Sequence, residues 1–180
     1  MLARKLSQPE FANQDSDGER YLGYLQAVTL FTELRDIPGA LEELSRVMQM
    51  KVYKPESPIL VEGQTGAEMF FLVEGEASVY KSTAEGDQYR VAILHGSQGV
   101  FFGESGLLDS DARSATITAD TECHCLVLDR AAFDSFCRSN PQWGMPVVLR
   151  IARAVMGRLR KTNNDLMLVY NALVTEIRGH

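Results

Sequence analysis

At 180 residues, 45% of them hydrophobic and 23% charged, the chain is sized for one domain with a substantial core and room for a helical appendage. A formal net charge of -6 excludes a basic face built for phosphate backbones, so nucleic acid is not an expected partner. No apolar run is long enough to span a bilayer, the N-terminus lacks the apolar middle of a secretion signal, and three cysteines cannot all pair internally; these predict a cytoplasmic protein with no membrane association.

In chain order, residues 1–18 are polar, with Pro9 and Gly18, and are expected to form a flexible tail. From Arg20 the spacing of Tyr21, Tyr24, Leu25, Val28 and Phe31 predicts a helix with one apolar stripe. A second helix is expected after Pro38, burying Leu41, Leu44, Val47 and Met48. From Met50 to Leu128 the period changes. MKVY, ILV, MFFLV, EASVYKS, YRVAIL, SATITA and CHCLVL each suit a strand, and the connections KPESP, EGQTG, VEGE, AEGD, HGSQG and LDSD are turn chemistry. Short strands at this spacing predict an antiparallel barrel, sandwich or roll.

After Asp129, RAAFDSFCRSNP predicts a short helix stopped by Pro141, and a long helix follows to about Arg178, with Gly157 as a candidate break. Val148, Ala152, Val155, Leu159, Thr162, Leu166, Val169 and Leu173 follow the alternating four-three spacing of a heptad seam. Such a seam suits pairing with a second copy of the chain; the alternative is a helix lying on its own barrel. The basic residues Arg150, Arg153, Arg158, Arg160 and Lys161 read as a solvated face opposite the seam. The fold class is therefore α+β: an all-β antiparallel middle with flanking helices (residues 19–140) and a long C-terminal dimerisation or lid helix (141–180).

The chemistry concentrates in FFGESGLLDSDARSATI, residues 101–117. Small residues around Glu104 let backbone N–H groups approach an anion, and a short helical turn starting there would aim its dipole at it. Arg113 carries a fork suited to phosphate or carboxylate, and Ser114 adds a hydroxyl donor. An ionised Glu104 accepts only, so it reads hydroxyls. A sugar phosphate satisfies all of these, but a surface ion pair between Arg113 and Asp109 or Asp111, with a solvated Glu104, satisfies the residue chemistry equally. Cys123-His124-Cys125 is not a metal site by this reading, because alternation on a strand splits its donors between two faces. Nor do His95, His124 and His180 form the cluster that a cupin-type metalloenzyme needs, so an enzyme is not expected.

The stretch Phe102-Gly103-Glu104-Ser105-Gly106-Leu107-Leu108, followed by Arg113-Ser114-Ala115-Thr116, resembles the phosphate-binding cassette of the cyclic nucleotide-binding domain family, in particular its catabolite activator protein-like sensor domains. LFTEL, VEGQTGAEMFFLVEGEASVY and CLVLDRAAF extend the resemblance, in order, over roughly residues 25–175. Ser105, where many members carry Leu or Ile, and Ala112, where proline is commoner, are departures.

The resemblance implies an antiparallel, jelly-roll-like β-roll between the flanking helices, and a bacterial-type regulatory domain for signal transduction with cAMP as its first ligand and cGMP or a cyclic dinucleotide as alternatives. Glu104 would accept from the ribose 2′-hydroxyl. Arg113 would neutralise the cyclic phosphate with Ser114 and the backbone of Gly103 and Ser105, and Val91 would form part of the apolar wall. Thr162 and Asn163 on the long helix would meet the base, in a homodimer. Family transcription factors continue into a helix-turn-helix and this sequence stops at His180, so direct DNA binding is not expected, and the output passes to an unidentified protein partner. The remaining alternative is a dimerisation or interaction module of the same fold that binds no nucleotide.

Overall fold

The computed structural model describes the backbone at residues 10–11 and 18–20 and complete residues at 21–109 and 112–178. Most of the tail expected over 1–18, together with Asp111 and His180, lies outside these. Among the described residues the chain forms two antiparallel sheets with helices before and after them.

Helix α1 (Gly18–Ala27) is followed by a 3-10 segment over Thr29–Leu34, where Phe31 departs from helical torsions, and by α2 (Ala40–Arg46). The predicted apolar stripe is thus real but divided: Tyr21 and Leu25 are buried on α1, Val28 at the junction and Phe31 on the 3-10 segment, while Tyr24 is half-buried. Val47 ends α2 and Met48 already belongs to a strand, because Met48 pairs with Leu128.

The first sheet has the order β1 (Glu10–Phe11), β2 (Met48–Tyr53), β9 (Cys123–Asp129), β4 (Glu68–Glu74), β7 (Phe101–Phe102). The second runs β3 (Pro58–Leu60), β8 (Thr116–Ala119), β5 (Glu76–Ser82), β6 (Gln88–His95). All seven predicted strand segments are present. Strands β1 and β7, of two residues each, carry too little alternation to be read from sequence.

The apolar run MFFL in β4 is buried on both faces, and alternation explains why. Met69 and Phe71 join the core shared with the helices, whereas Phe70 and Leu72 fill the interior of the roll. Strand β9 does the same, with Leu126 and Leu128 on the helix side and Cys123, Cys125 and Val127 inside. Burial pushes the Cys123 thiol up to about 11, and His124 points the other way, 3.3 Å from Glu122.

Helix α4 (Arg130–Ser139) starts directly on β9, its N-terminus capped by Asp129, which accepts from the amides of Ala131 at 2.8 Å and Ala132 at 3.4 Å. The final helix, α5, runs from Pro141 to Arg178 without a break at Gly157. Gly144, Val147 and Ile151 bury its first turns against α4 and the 3-10 segment, and Arg150 Nε donates to both oxygens of Glu33 at 2.7 and 2.9 Å. Beyond Ile151 no described residue of the helix is buried, and Leu159, Leu166, Val169 and Leu173 are each half exposed or more. The distal seam therefore does not lie on the chain's own barrel.

Candidate nucleotide-binding site

The cassette begins where β7 ends. Phe102 stacks on Phe70 with ring centroids 5.5 Å apart, which anchors the strand to β4. Gly103 then turns the chain with φ of +73°, a conformation that a side chain rarely adopts, and one helical turn, α3 (Ser105–Leu108), follows. Gly106 and Leu107 donate their amides to the carbonyls of Gly103 and Glu104 at 2.9 and 3.1 Å, closing the turn. Leu107 is buried in the same core cluster as Val147 and Ile151 of α5, whereas Leu108 is half exposed. From α4, Arg130 Nε donates to the Gly106 carbonyl at 2.8 Å and pins the turn from outside.

Arg113 comes from the loop before β8. Its backbone is held by the turn after β3: its amide donates to Gln64 at 2.8 Å and its carbonyl accepts from Gly63 at 2.9 Å. The side chain is 4% exposed. Nη1 donates to the Gly103 carbonyl at 2.9 Å and Nη2 to the Glu68 carbonyl at 2.7 Å, with the Glu68 carboxylate 3.8 Å away. Burial draws the Arg113 pKa below the ordinary guanidinium value, and the carboxylates of Glu68 and Glu104 oppose that shift. A cation this deeply buried is costly unless it is paired. Arg113 is thus a buried group on backbone carbonyls rather than the surface group of the ion-pair alternative, whose Asp111 lies outside the described residues.

Gly103, Glu104, Ser105, Arg113 and Ser114 all line one cavity of about 310 Å³, so the fold brings together the five cassette residues singled out in the sequence. Leu60, Val79, Ala92, Leu94 and Ile117 give it an apolar wall. Val91 does not line it. The β5–β6 register slips between Val79 and Tyr80, which pair with Ala92 and Arg90, and this leaves Val91 as the extra, half-exposed residue of a bulge. Ala92 and Leu94 take the place expected for it. Thr162 and Asn163 are exposed on α5, one turn beyond the last cavity-lining residue of that helix, and do not reach the cavity within one chain.

That last residue is Arg158, which sequence reasoning assigned to a solvated face. Its guanidinium pairs with the Glu104 carboxylate, donates to the Phe101 carbonyl at 3.1 Å, and lies 5.2 Å from the centre of the Phe101 ring. Glu104 itself is only 13% exposed. Arg150 and Arg158 thus tether α5 to the body rather than simply facing solvent. The contact from 158 back to 104 is long-range, and no local pattern signals it.

Known proteins are similar to this chain in sequence and fold. The model of the cyclic nucleotide-binding domain matches residues 50–140, which contain the whole cassette. The human cGMP-dependent protein kinase 2 is 32% identical over 117 residues, 64% of this chain and 15% of the kinase. A CRP-like cAMP-activated global transcriptional regulator of Mycobacterium tuberculosis is 25% identical over 142 residues, 79% of this chain and 59% of the regulator. This chain therefore spans well under two thirds of either relative. Among solved structures, the Thermus thermophilus catabolite activator protein superposes with a TM-score of 0.68 at 26% identity, covering 78% of this chain and 62% of that one. With the family model covering residues 50–140, half of the chain, this chain belongs to the cyclic nucleotide-binding domain family.

Proposed function

We propose that the chain is a sensor for a cyclic mononucleotide, with cAMP as its first ligand. The observation that carries this reading is that a buried guanidinium, Arg113, and the Glu104 carboxylate line the same cavity with an apolar wall. The Arg113 fork matches the single negative charge of a cyclic phosphate, Glu104 matches the ribose 2′-hydroxyl beside it, and the apolar wall accepts the rest of the nucleoside. A volume of about 310 Å³ is at the low end for ligand pockets, which supports a mononucleotide over a cyclic dinucleotide. The bacterial regulator aligned over most of the chain is named for cAMP, which supports that ligand, whereas the human kinase is named for cGMP, which makes cGMP the second ligand to test.

The signal passes to α5. Phosphate capture tightens the segment 103–114, and two links join that segment to the helix: Leu107, in the core cluster of Val147 and Ile151, and Arg158, on Glu104 and Phe101. A nucleotide shifts the helix to the extent that it prefers one helix arrangement over the other. The exposed seam of Leu159, Leu166, Val169 and Leu173 pairs with a second copy, which carries Thr162 and Asn163 to the base. The role is regulatory binding rather than catalysis.

Calorimetric titration of nucleotide-free protein with cAMP, cGMP and cyclic di-GMP tests the ligand assignment. Micromolar or tighter binding of cAMP, with weaker cGMP and no cyclic di-GMP, is expected. No heat with any of the three, together with an unmoved melting temperature, would leave an interaction module of this fold.

A further inference from the structure

The anion-binding reading depends on one guanidinium, and glycines from two separate parts of the chain build the space it occupies. A Cβ on Gly103 would stand 3.0 Å from Arg113 Nη1, and one on Gly106 would stand 2.5 Å from the same atom. Both belong to the cassette, and both have backbone reasons to be glycine. Gly103 has a positive φ, and a Cβ on Gly106 would also meet the carbonyls of Glu68 and Gly66 at 2.8 and 2.9 Å.

Gly66 is different. It sits in the turn before β4, 113 − 66 = 47 residues from the arginine. A Cβ there would stand 2.6 Å from Nη2, 3.0 Å from Nε and 3.1 Å from Cζ, so its three nearest contacts are all the end of the Arg113 side chain. Its φ is outside the left-handed region. Alanine at 66 is thus compatible with the backbone, and what must yield is the guanidinium. That guanidinium is held in plane by two hydrogen bonds, to the carbonyls of Gly103 and Glu68, and Glu68 is only two residues from Gly66. Gly66 and the first residue of β4, two positions apart, therefore supply the empty space that admits the fork and the acceptor that orients it.

We propose that Gly66 is a positioning residue for anion recognition: its missing side chain is the space in which Arg113 is held in register with the Gly103 and Glu68 carbonyls. A side chain at 66 misplaces the fork where it must meet phosphate. This inference rests on the cyclic nucleotide reading and deepens it, adding a residue from outside the cassette.

Two measurements test it, and the first needs no nucleotide. In ligand-free protein, solvent exchange of the Arg113 side-chain N–H protons is read by NMR in wild type and Gly66→Ala. Slow exchange in wild type and about tenfold faster exchange in the variant are expected, with the melting temperature within a few degrees. The second is the affinity for cAMP and cGMP in a double-mutant cycle with Arg113→Lys, which keeps the charge but lacks the planar fork. Gly66→Ala should weaken binding about tenfold beside Arg113 and less than about twofold beside Lys. Unchanged exchange and affinity would overturn the proposal, as would an equal loss in both backgrounds, or a Gly66→Ala protein that fails to fold. Protected guanidinium protons in a wild type that binds neither nucleotide would instead overturn the cyclic nucleotide reading.

Discussion

At the scale of single residues, the site divides by how each contact is made. Glu104, Arg113 and Ser114 were legible in the sequence through the resemblance of their stretch to the family's cassette, since residue chemistry alone left a surface ion pair equally open, and the fold brings them to one cavity. Gly66 and Arg158 were not legible, because each acts on a residue about fifty positions away and nothing local marks the pair. Val91 was expected in the apolar wall from the resemblance alone; it falls on a bulge in β6, and Ala92 and Leu94 line the cavity. Glu104 accepts from a ribose hydroxyl in this account, so wild type should prefer cAMP to 2′-deoxy-cAMP. Glu104→Ala should lose most of that preference, because the carboxylate is the group that distinguishes them. Competition assays with the two nucleotides measure it, and an undiminished preference in the variant would move the ribose elsewhere in the cavity.

At the scale of elements, periodicity identified every long strand and helix, and missed those that tertiary pairing alone defines. Strands β1 and β7 exist because β2 and β4 offer them edges. The unbroken α5 shows that Gly157 is accommodated in a helix of 38 residues. The attachment of α5 has an electrostatic component that depends on pH. Burial raises the Glu33 carboxyl, but its hydrogen bond and charge contact with Arg150, together with Arg153, outweigh this and hold it below its ordinary value of 4.5. A depressed carboxylate pKa contributes stability in full above the unfolded value and loses it as pH falls through the folded one. Amide protection at the start of α5 should therefore decline below about pH 4.5, the ordinary carboxylate range, and Glu33→Gln should flatten that decline. The effect is small for so exposed a pair. Hydrogen exchange across 141–155 at pH 3.5, 5 and 7 measures it, and identical pH profiles in the two proteins would mean the ion pair holds nothing.

At the scale of the whole molecule, the first turns of α5, to Ile151, are buried on its own domain, Arg158 still touches the cassette, and the rest of the helix exposes a heptad seam. The sequence showed the seam but not where the body ends. That boundary depends on how far the 3-10 segment and α4 reach, and they reach only to Ile151. The distal half should associate the chain into a dimer, and Leu166→Lys, placing a charge on the seam, should shift sedimentation toward the monomer while leaving the melting of the roll unchanged. A wild type that sediments as a monomer at high micromolar concentration would remove the dimer from the account. The central claim, however, is that a buried arginine in the cassette holds a cyclic phosphate. The most direct test is equilibrium binding of cAMP to wild type and Arg113→Ala under one set of conditions. Leaving the phosphate without its guanidinium should cost about 2–5 kcal/mol, roughly a thirtyfold to several-thousandfold loss of affinity. Binding within a fewfold of wild type would contradict the account and place the anion, and with it the nucleotide, somewhere other than the cassette.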